Sequence, residues 1–215
     1  MSDLPIDVLD EPQICLKENL LYPKEYEGHF EQLMLSREMI LSVVELLAQK
    51  INEDYAGKFP MIVCVLKGGN SFYQNLLEAL QKLKLGYTIE FLRVSSYEGT
   101  SSTGSVSISD TKMYDSLLGR HVILVEDIVD TGTTLSKLLP TIHEKCKVKS
   151  LEVCSLLQKK LKEPPKIKAK YTGLLIPDKF IIGYGLDYNE LYRDLRDIWI
   201  ISKAGIEFDK SALYD

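Results

Sequence analysis

Beyond Leu35 the apolar residues fall into regular patterns. Met39, Ile40, Val43, Val44, Leu47 and Ile51 return at three- and four-residue steps, which places them on one stripe of an amphipathic helix. Ser36 stands where an N-cap is wanted, and Gly57, Lys58, Phe59 and Pro60 close the segment. Met61–Leu66 (MIVCVL) is uniformly apolar and rich in β-branched residues, the pattern of a parallel strand buried on both faces. Phe72, Leu76, Leu77 and Leu80 then define a second helical face. Further strands are predicted at Tyr87–Val94, His121–Val129, Leu151–Leu157, Lys179–Leu186 and Ile198–Ser202, with a helix from Thr134 to about Cys146. Residues 1 to about 30 show no clean period and read as coil with a short strand, disordered at the extreme terminus. Residues 95–110 hold seven serines and two glycines and little that can be buried, so they read as a long mobile loop or loose hairpin, the usual material of an active-site lid. The lysine- and proline-rich stretch from Gln158 to Lys170 reads as a surface loop, and Trp199 as packing. Strands alternating with helices through the middle of the chain predict an α/β fold with a parallel sheet.

A length of 215 residues fits a single domain over residues 1–215 with room for an appendage. The longest clear apolar run, Met61–Leu66, is far below the roughly 20 residues that span a bilayer, so no membrane association is expected. The acidic N-terminus MSDLPIDVLDEPQ shows no signal peptide. Asp and Glu outnumber Lys and Arg by 31 to 26, which argues against a nucleic-acid partner. Cys15, Cys64, Cys146 and Cys154 form no CxxC pair and read as reduced thiols, so the expected compartment is the cytoplasm.

The chemistry is concentrated where the strand Val122–Val125 runs into Glu126-Asp127-Ile128-Val129-Asp130-Thr131-Gly132-Thr133-Thr134 and then into a helix. At the carboxyl end of a parallel strand such a turn faces the ligand crevice. Gly132 permits a tight backbone, and the amides of residues 131–135 lie at a helix N-terminus, where unpaired N–H groups and the dipole favour a phosphate. Thr131, Thr133 and Thr134 add hydroxyl donors. Carboxylates beside a phosphate would repel it, so Glu126 and Asp127 must face sugar hydroxyls or a divalent cation. Asp130 sits between the acid pair and the phosphate turn, within reach of a reacting group. Neither a Walker A loop nor a GxGxxG fingerprint is present.

This stretch resembles the signature of the phosphoribosyltransferases that use 5-phosphoribosyl-1-diphosphate (PRPP). With Val65-Leu-Lys-Gly-Gly69, Phe91–Tyr97, Ser155-Leu-Leu-Gln-Lys159 and Ile176–Leu195, found in the same order, it resembles the hypoxanthine-guanine phosphoribosyltransferases over about residues 35–205. The resemblance implies a type I phosphoribosyltransferase fold. That is an α/β domain whose parallel β-sheet core, about 35–175, is flanked by helices and carries a small hood from about 1–34 and 176–215. It implies purine salvage: transfer of 5-phosphoribosyl from PRPP to hypoxanthine or guanine, giving IMP or GMP and pyrophosphate. By the same resemblance, Asp130 is catalytic; Glu126, Asp127, Asp130, Thr131, Gly132, Thr133 and Thr134 hold PRPP; and Lys67, Gly68 and Arg193 hold pyrophosphate. Lys159, Phe180, Ile181 and Asp187 hold the purine. Ser96 and Tyr97 begin the mobile loop. Magnesium is the implied cofactor, with Glu126, Asp127 and Asp187 as its acids, and a homo-oligomer, dimer or tetramer, is the implied assembly. Thr133 stands where several relatives carry lysine, and Lys160-Leu161 where many carry Arg-Thr. Two other readings are a regulatory relative that only binds PRPP or nucleotide, and a phosphoribosyltransferase for another base. The negative charge and the intact Asp130 count against the first, and the surroundings of Lys159 and Phe180 count against the second.

Overall fold

A computed structural model describes residues 4–10, 21–95, 107–108 and 112–213. Its strands are β1 (Ile6–Asp7), β2 (Phe30–Leu35), β3 (Met61–Leu66), β4 (Thr88–Ser95), β5 (Ser107–Ile108), β6 (His121–Val129), β7 (Ser150–Lys159), β8 (Tyr171–Ile176), β9 (Ile181–Ile182) and β10 (Ile198–Ile201). Its helices are α1 (Arg37–Tyr55), α2 (Asn70–Lys82), α3 (Lys112–Leu117), α4 (Thr133–Cys146) and α5 (Lys203–Glu207).

The large sheet runs in the order β1-β8-β7-β6-β3-β4-β5. Every pairing from β1 to β4 is parallel, and only the short β5 is antiparallel. The all-apolar run of β3 sits centrally and is buried on both faces, as its composition predicts. Ile62 and Cys64 join α1 and α2 in one core, while Met61 and Val63 join α3 and α4 in the other. The predicted cap holds: the Ser36 hydroxyl accepts from Met39 N at 3.3 Å. A small sheet, β2-β10-β9, stands apart from the large one and encloses its own cluster of Tyr26, Leu33, Ile182, Tyr192, Leu195, Trp199 and Ile201. Trp199 is packing there, 5.0 Å from the Phe30 ring.

Several elements differ from the sequence expectation. β1 pairs with β8, so residues 6–7 belong to the edge of the large sheet and not to the hood. The segment predicted as a strand over Lys179–Leu186 is a strand only at Ile181–Ile182, because Gly183, Tyr184 and Gly185 all take positive φ and break the ladder. β7 continues to Lys159, two residues into the predicted surface loop. β8 was not anticipated. Its Gly173 hides the strand pattern, and glycine is required there because a Cβ would meet Leu156 O at 2.7 Å and Val43 of α1 at 2.8 Å. β2 and α3 also lay outside the predicted elements. Cys64, Cys146 and Cys154 are free and buried, while Cys15 and most of the expected lid, including Ser96 and Tyr97, lie outside the described residues, as does the extreme N-terminus. Among the described residues no helix is long and apolar enough to cross a membrane.

Candidate functional site

The chain leaves β3 toward one edge of the sheet and returns at β6 toward the other, so the strand order reverses between these neighbours. In an open parallel sheet the ligand crevice lies outside the carboxyl ends at such a reversal. Here those ends carry Lys67-Gly68-Gly69 and Glu126–Thr134.

Gly132 has φ +70° and serves as the N-cap of α4, whose first turn presents Thr133, Thr134 and Leu135. Only glycine enters this conformation without strain. Its back is closed as well, since a Cβ would meet Ile167 and Lys166 at 3.2–3.3 Å. Lys166 N also donates to Thr131 O at 2.9 Å, so the 160–170 stretch braces the turn from behind. Thr131 and Thr133 hydroxyls lie 3.0 Å apart. Thr133 therefore adds a hydroxyl to this cradle where a lysine would add charge.

Glu126 and Asp127 are half-buried at the end of β6, enclosed by protein on most sides. Burial raises both carboxyls above the ordinary range, each raised further by a neighbouring acid, and Asp127 reaches about 6. Glu126 Oε2 is buried with no hydrogen-bond partner among the described residues. Asp127 Oδ1 accepts from Ile128 N at 2.9 Å. The Asp127 carboxylate lies against Gly68, where any Cβ would overlap it. The Leu66–Lys67 peptide in this turn is cis. The same two acids add to the burial that holds the Cys64 thiol up at about 12, so this thiol stays protonated and unreactive.

The register of β6, β7 and β8 sets the next group. Val129 pairs with Gln158, and Lys159 with Ile176, so the residues just beyond β6 and β8 flank the last residue of β7. Lys159 Nζ accordingly sits 3.2 Å from Asp130 Oδ2 and 3.2 Å from Asp178 Oδ1. A cavity of about 270 Å³ opens beside it, lined by Asp127, Asp130, Lys159, Phe180, Ile181 and Asp187 among others. Phe180 is 53% exposed, with its ring 5.4 Å from and edge-on to Tyr188. Phe180 is thus part of the cavity wall and not of the buried core.

Asp187 and Arg193 lie 2.7 Å apart in the hood. Arg193 also donates to Gly185 O at 2.8 Å, and Asp187 Oδ2 accepts from Glu190 N at 2.8 Å. Lys67 Nζ meets Glu190 Oε2 at 2.6 Å, and Arg193 approaches the other Glu190 oxygen at 3.6 Å. The two cations expected near pyrophosphate thus share one carboxylate across the crevice. Among the described residues no three His, Cys, Asp or Glu converge as a ready-made metal cage. Glu126, Asp127 and Asp187 therefore do not form one by themselves. Their carboxylate oxygens are donors of the kind magnesium takes, one or two at a time with substrate phosphates and waters.

Sequence reasoning gave no role to Asp178 and Glu190, although both lie inside recognised stretches. Asp178 stands two residues from Phe180 and Glu190 three from both Asp187 and Arg193, and only strand register and the positive-φ loop at Asn189–Glu190 show what they touch. Lys160 turns away from the site to Asp7 at 2.5 Å and Val8 O at 3.0 Å, tying β1 to the sheet. A larger cavity of about 580 Å³ lies beside β8, walled by Pro164, Pro165 and Lys170 among others. It holds none of the residues assigned to the site, so the chemistry and not the size picks out the smaller one.

The model of the phosphoribosyl transferase domain matches residues 34–189. The bovine (Bos taurus) hypoxanthine-guanine phosphoribosyltransferase is 36% identical over 203 residues, covering 91% of this chain and 92% of that protein. Among solved structures, a Trypanosoma cruzi hypoxanthine phosphoribosyltransferase complexed with IMP is 36% identical with a TM-score of 0.73, covering 84% of this chain and 95% of the other. The Schistosoma mansoni hypoxanthine-guanine phosphoribosyltransferase in complex with IMP is 25% identical with a TM-score of 0.77, covering 94% and 96%.

Proposed function

The chain belongs to the phosphoribosyl transferase family, and we propose that the residues at the carboxyl end of its sheet divide a single reaction among them. The enzyme works in purine salvage. It transfers the 5-phosphoribosyl group of PRPP to hypoxanthine or guanine, releasing pyrophosphate and giving IMP or GMP. Purine N9 forms its bond to C1′ as the bond from C1′ to the pyrophosphate oxygen breaks, and the purine gives up one proton.

The amides of residues 131–135, with the hydroxyls of Thr131, Thr133 and Thr134, hold the 5′-phosphate. Glu126 and Asp127 accept from the ribose hydroxyls, and their negative charge favours the cationic character that develops at C1′. The unpartnered Glu126 Oε2 supports this, because a buried acceptor without a donor is a cost that a ligand hydroxyl removes. Lys67, the Gly68 backbone and Arg193 take the pyrophosphate once Glu190 gives way. Phe180 stacks on the base over Ile181, Lys159 donates to the 6-oxygen, and Asp187 receives the exocyclic edge. Asp130 accepts the proton from N7 as N9 reacts. Asp127 and Asp187, with Glu126 alongside, would hold magnesium, which when bound neutralises the leaving pyrophosphate. The 95–110 segment, beginning with Ser96 and Tyr97, closes over the site. Its start at the carboxyl end of β4, on the crevice side of the sheet, and its small polar composition support that role. A dimer or tetramer is the assembly that the family resemblance implies.

The observation that carries this reading is the approach of Asp130 to Lys159, at 3.2 Å beside the Phe180 wall. It brings Asp130 and Lys159 to one cavity next to the Thr131–Thr134 turn, which supports the roles of proton acceptor and 6-oxygen donor. Asp130→Asn should lower turnover by roughly 10²–10⁴ with PRPP affinity and thermal stability retained, the usual size for losing a positioned base. Unchanged turnover would leave Asp130 no more than an ion-pair partner of Lys159, and lost PRPP binding would make it part of the phosphate cradle.

A further inference from the structure

Lys159 is held by two carboxylates, not one. Its side chain is 13% exposed, against 51% for Asp130 and 60% for Asp178, and its Nζ is 3.2 Å from each acid. The three residues end or follow three adjacent strands, with Lys159 in the middle. An ammonium has three N–H donors, so two acids leave one N–H for a ligand.

With Asp130 alone, the assigned roles would conflict. When Asp130 turns to the purine proton, Lys159 loses its counter-charge just when it must donate to a neutral oxygen. A nearly buried ammonium left unpaired is strongly disfavoured. Lys159 would follow Asp130 or pull it back. A second acid on the far side removes the conflict.

We infer that Asp178 is a positioning residue for the purine site: it keeps Lys159 paired and directed at the 6-position while Asp130 is released to N7. The inference rests on the purine-site reading above. It assigns to Asp178 no contact with substrate.

The test is a double-mutant cycle on the full-length enzyme, with Asp178→Asn, Lys159→Gln and the double variant assayed for hypoxanthine KM, PRPP KM, kcat and melting temperature. Asparagine keeps the volume at an exposed position, so the fold should be retained. Because Asp178 is largely exposed, Asp178→Asn should raise the hypoxanthine KM roughly three- to ten-fold, leaving the PRPP KM within about two-fold. In the Lys159→Gln background the same change should do nothing further, since the residue through which it acts is gone. Asp178→Glu should restore much of the lost purine affinity.

An equal rise in both backgrounds would show that Asp178 acts other than through Lys159, and a change in melting temperature alone would make it a surface ion pair; either result overturns the inference. If Lys159→Gln itself leaves the hypoxanthine KM unchanged, the purine-site reading fails and the inference falls with it. A purine effect of Lys159→Gln combined with no effect of Asp178→Asn would overturn the inference alone.

Discussion

Burial holds the Asp127 carboxyl up at about 6 and that of Glu126 above its ordinary range, with no full set of protein donors to compensate. An unfolded aspartate titrates near 4. The folded state therefore binds that proton more tightly than the unfolded chain does. Stability falls as pH rises from about 4 to about 6, and the cost persists above it. The ligand-free protein thus carries at neutral pH an ionised acid whose burial costs the fold stability. Asp127→Asn should melt higher than the parent at pH 7.5 in chelator, by a few degrees for an effect on the order of 2 kcal/mol. The gain should shrink below pH 6 and vanish near pH 4, while PRPP binding is lost. Differential scanning calorimetry across that range decides it, and a variant that melts no higher at pH 7.5 would remove the burial cost. The composition of the strand end made these acids visible in the sequence. Their state was not, because it depends on Gly68 lying against Asp127 and on what surrounds Glu126.

The small sheet β2-β10-β9 ties the base-side wall to the rest of the fold. Ile182 pairs with Trp199, and β10 pairs with β2, which leads into α1. Asp197 Oδ1 accepts from Arg37 N at 2.8 Å, fixing the start of α1 to the hood. Phe180 and Ile181 immediately precede Ile182. Ile182→Ala should therefore cost about 2–5 kcal/mol of stability and raise the hypoxanthine KM more than the PRPP KM. Denaturant unfolding followed through Trp199, the chain's one tryptophan, together with steady-state kinetics would check both. Equal changes in the two KM values would separate the hood from base binding. The long periodic elements, α1, β3 and β6, could be read from the sequence because a single face or a double burial writes a clear pattern. β8 could not, and β9 could be read only as part of a longer strand. Gly173 interrupts one for the sake of α1, and positive-φ residues end the other after two positions. The hood's short strands are held by pairing across distant sequence, which local pattern does not carry.

On the scale of the whole molecule, parallel topology does most of the functional work. Reversal of strand order between β3 and β6 opens one crevice, and strand register then delivers Asp130, Lys159 and Asp178 to it from three successive strands. The motifs were legible one at a time, and their convergence is a property of the sheet. On this reading the crevice recognises a 6-oxopurine through a group able only to donate. An ammonium at Lys159 matches the 6-oxygen of hypoxanthine and faces a second donor at the 6-amino group of adenine. The most direct test is kcat/KM for hypoxanthine and adenine with PRPP and magnesium, measured as nucleoside monophosphate formed. Hypoxanthine should exceed adenine by at least roughly a hundredfold, and comparable efficiencies for the two bases would contradict the account.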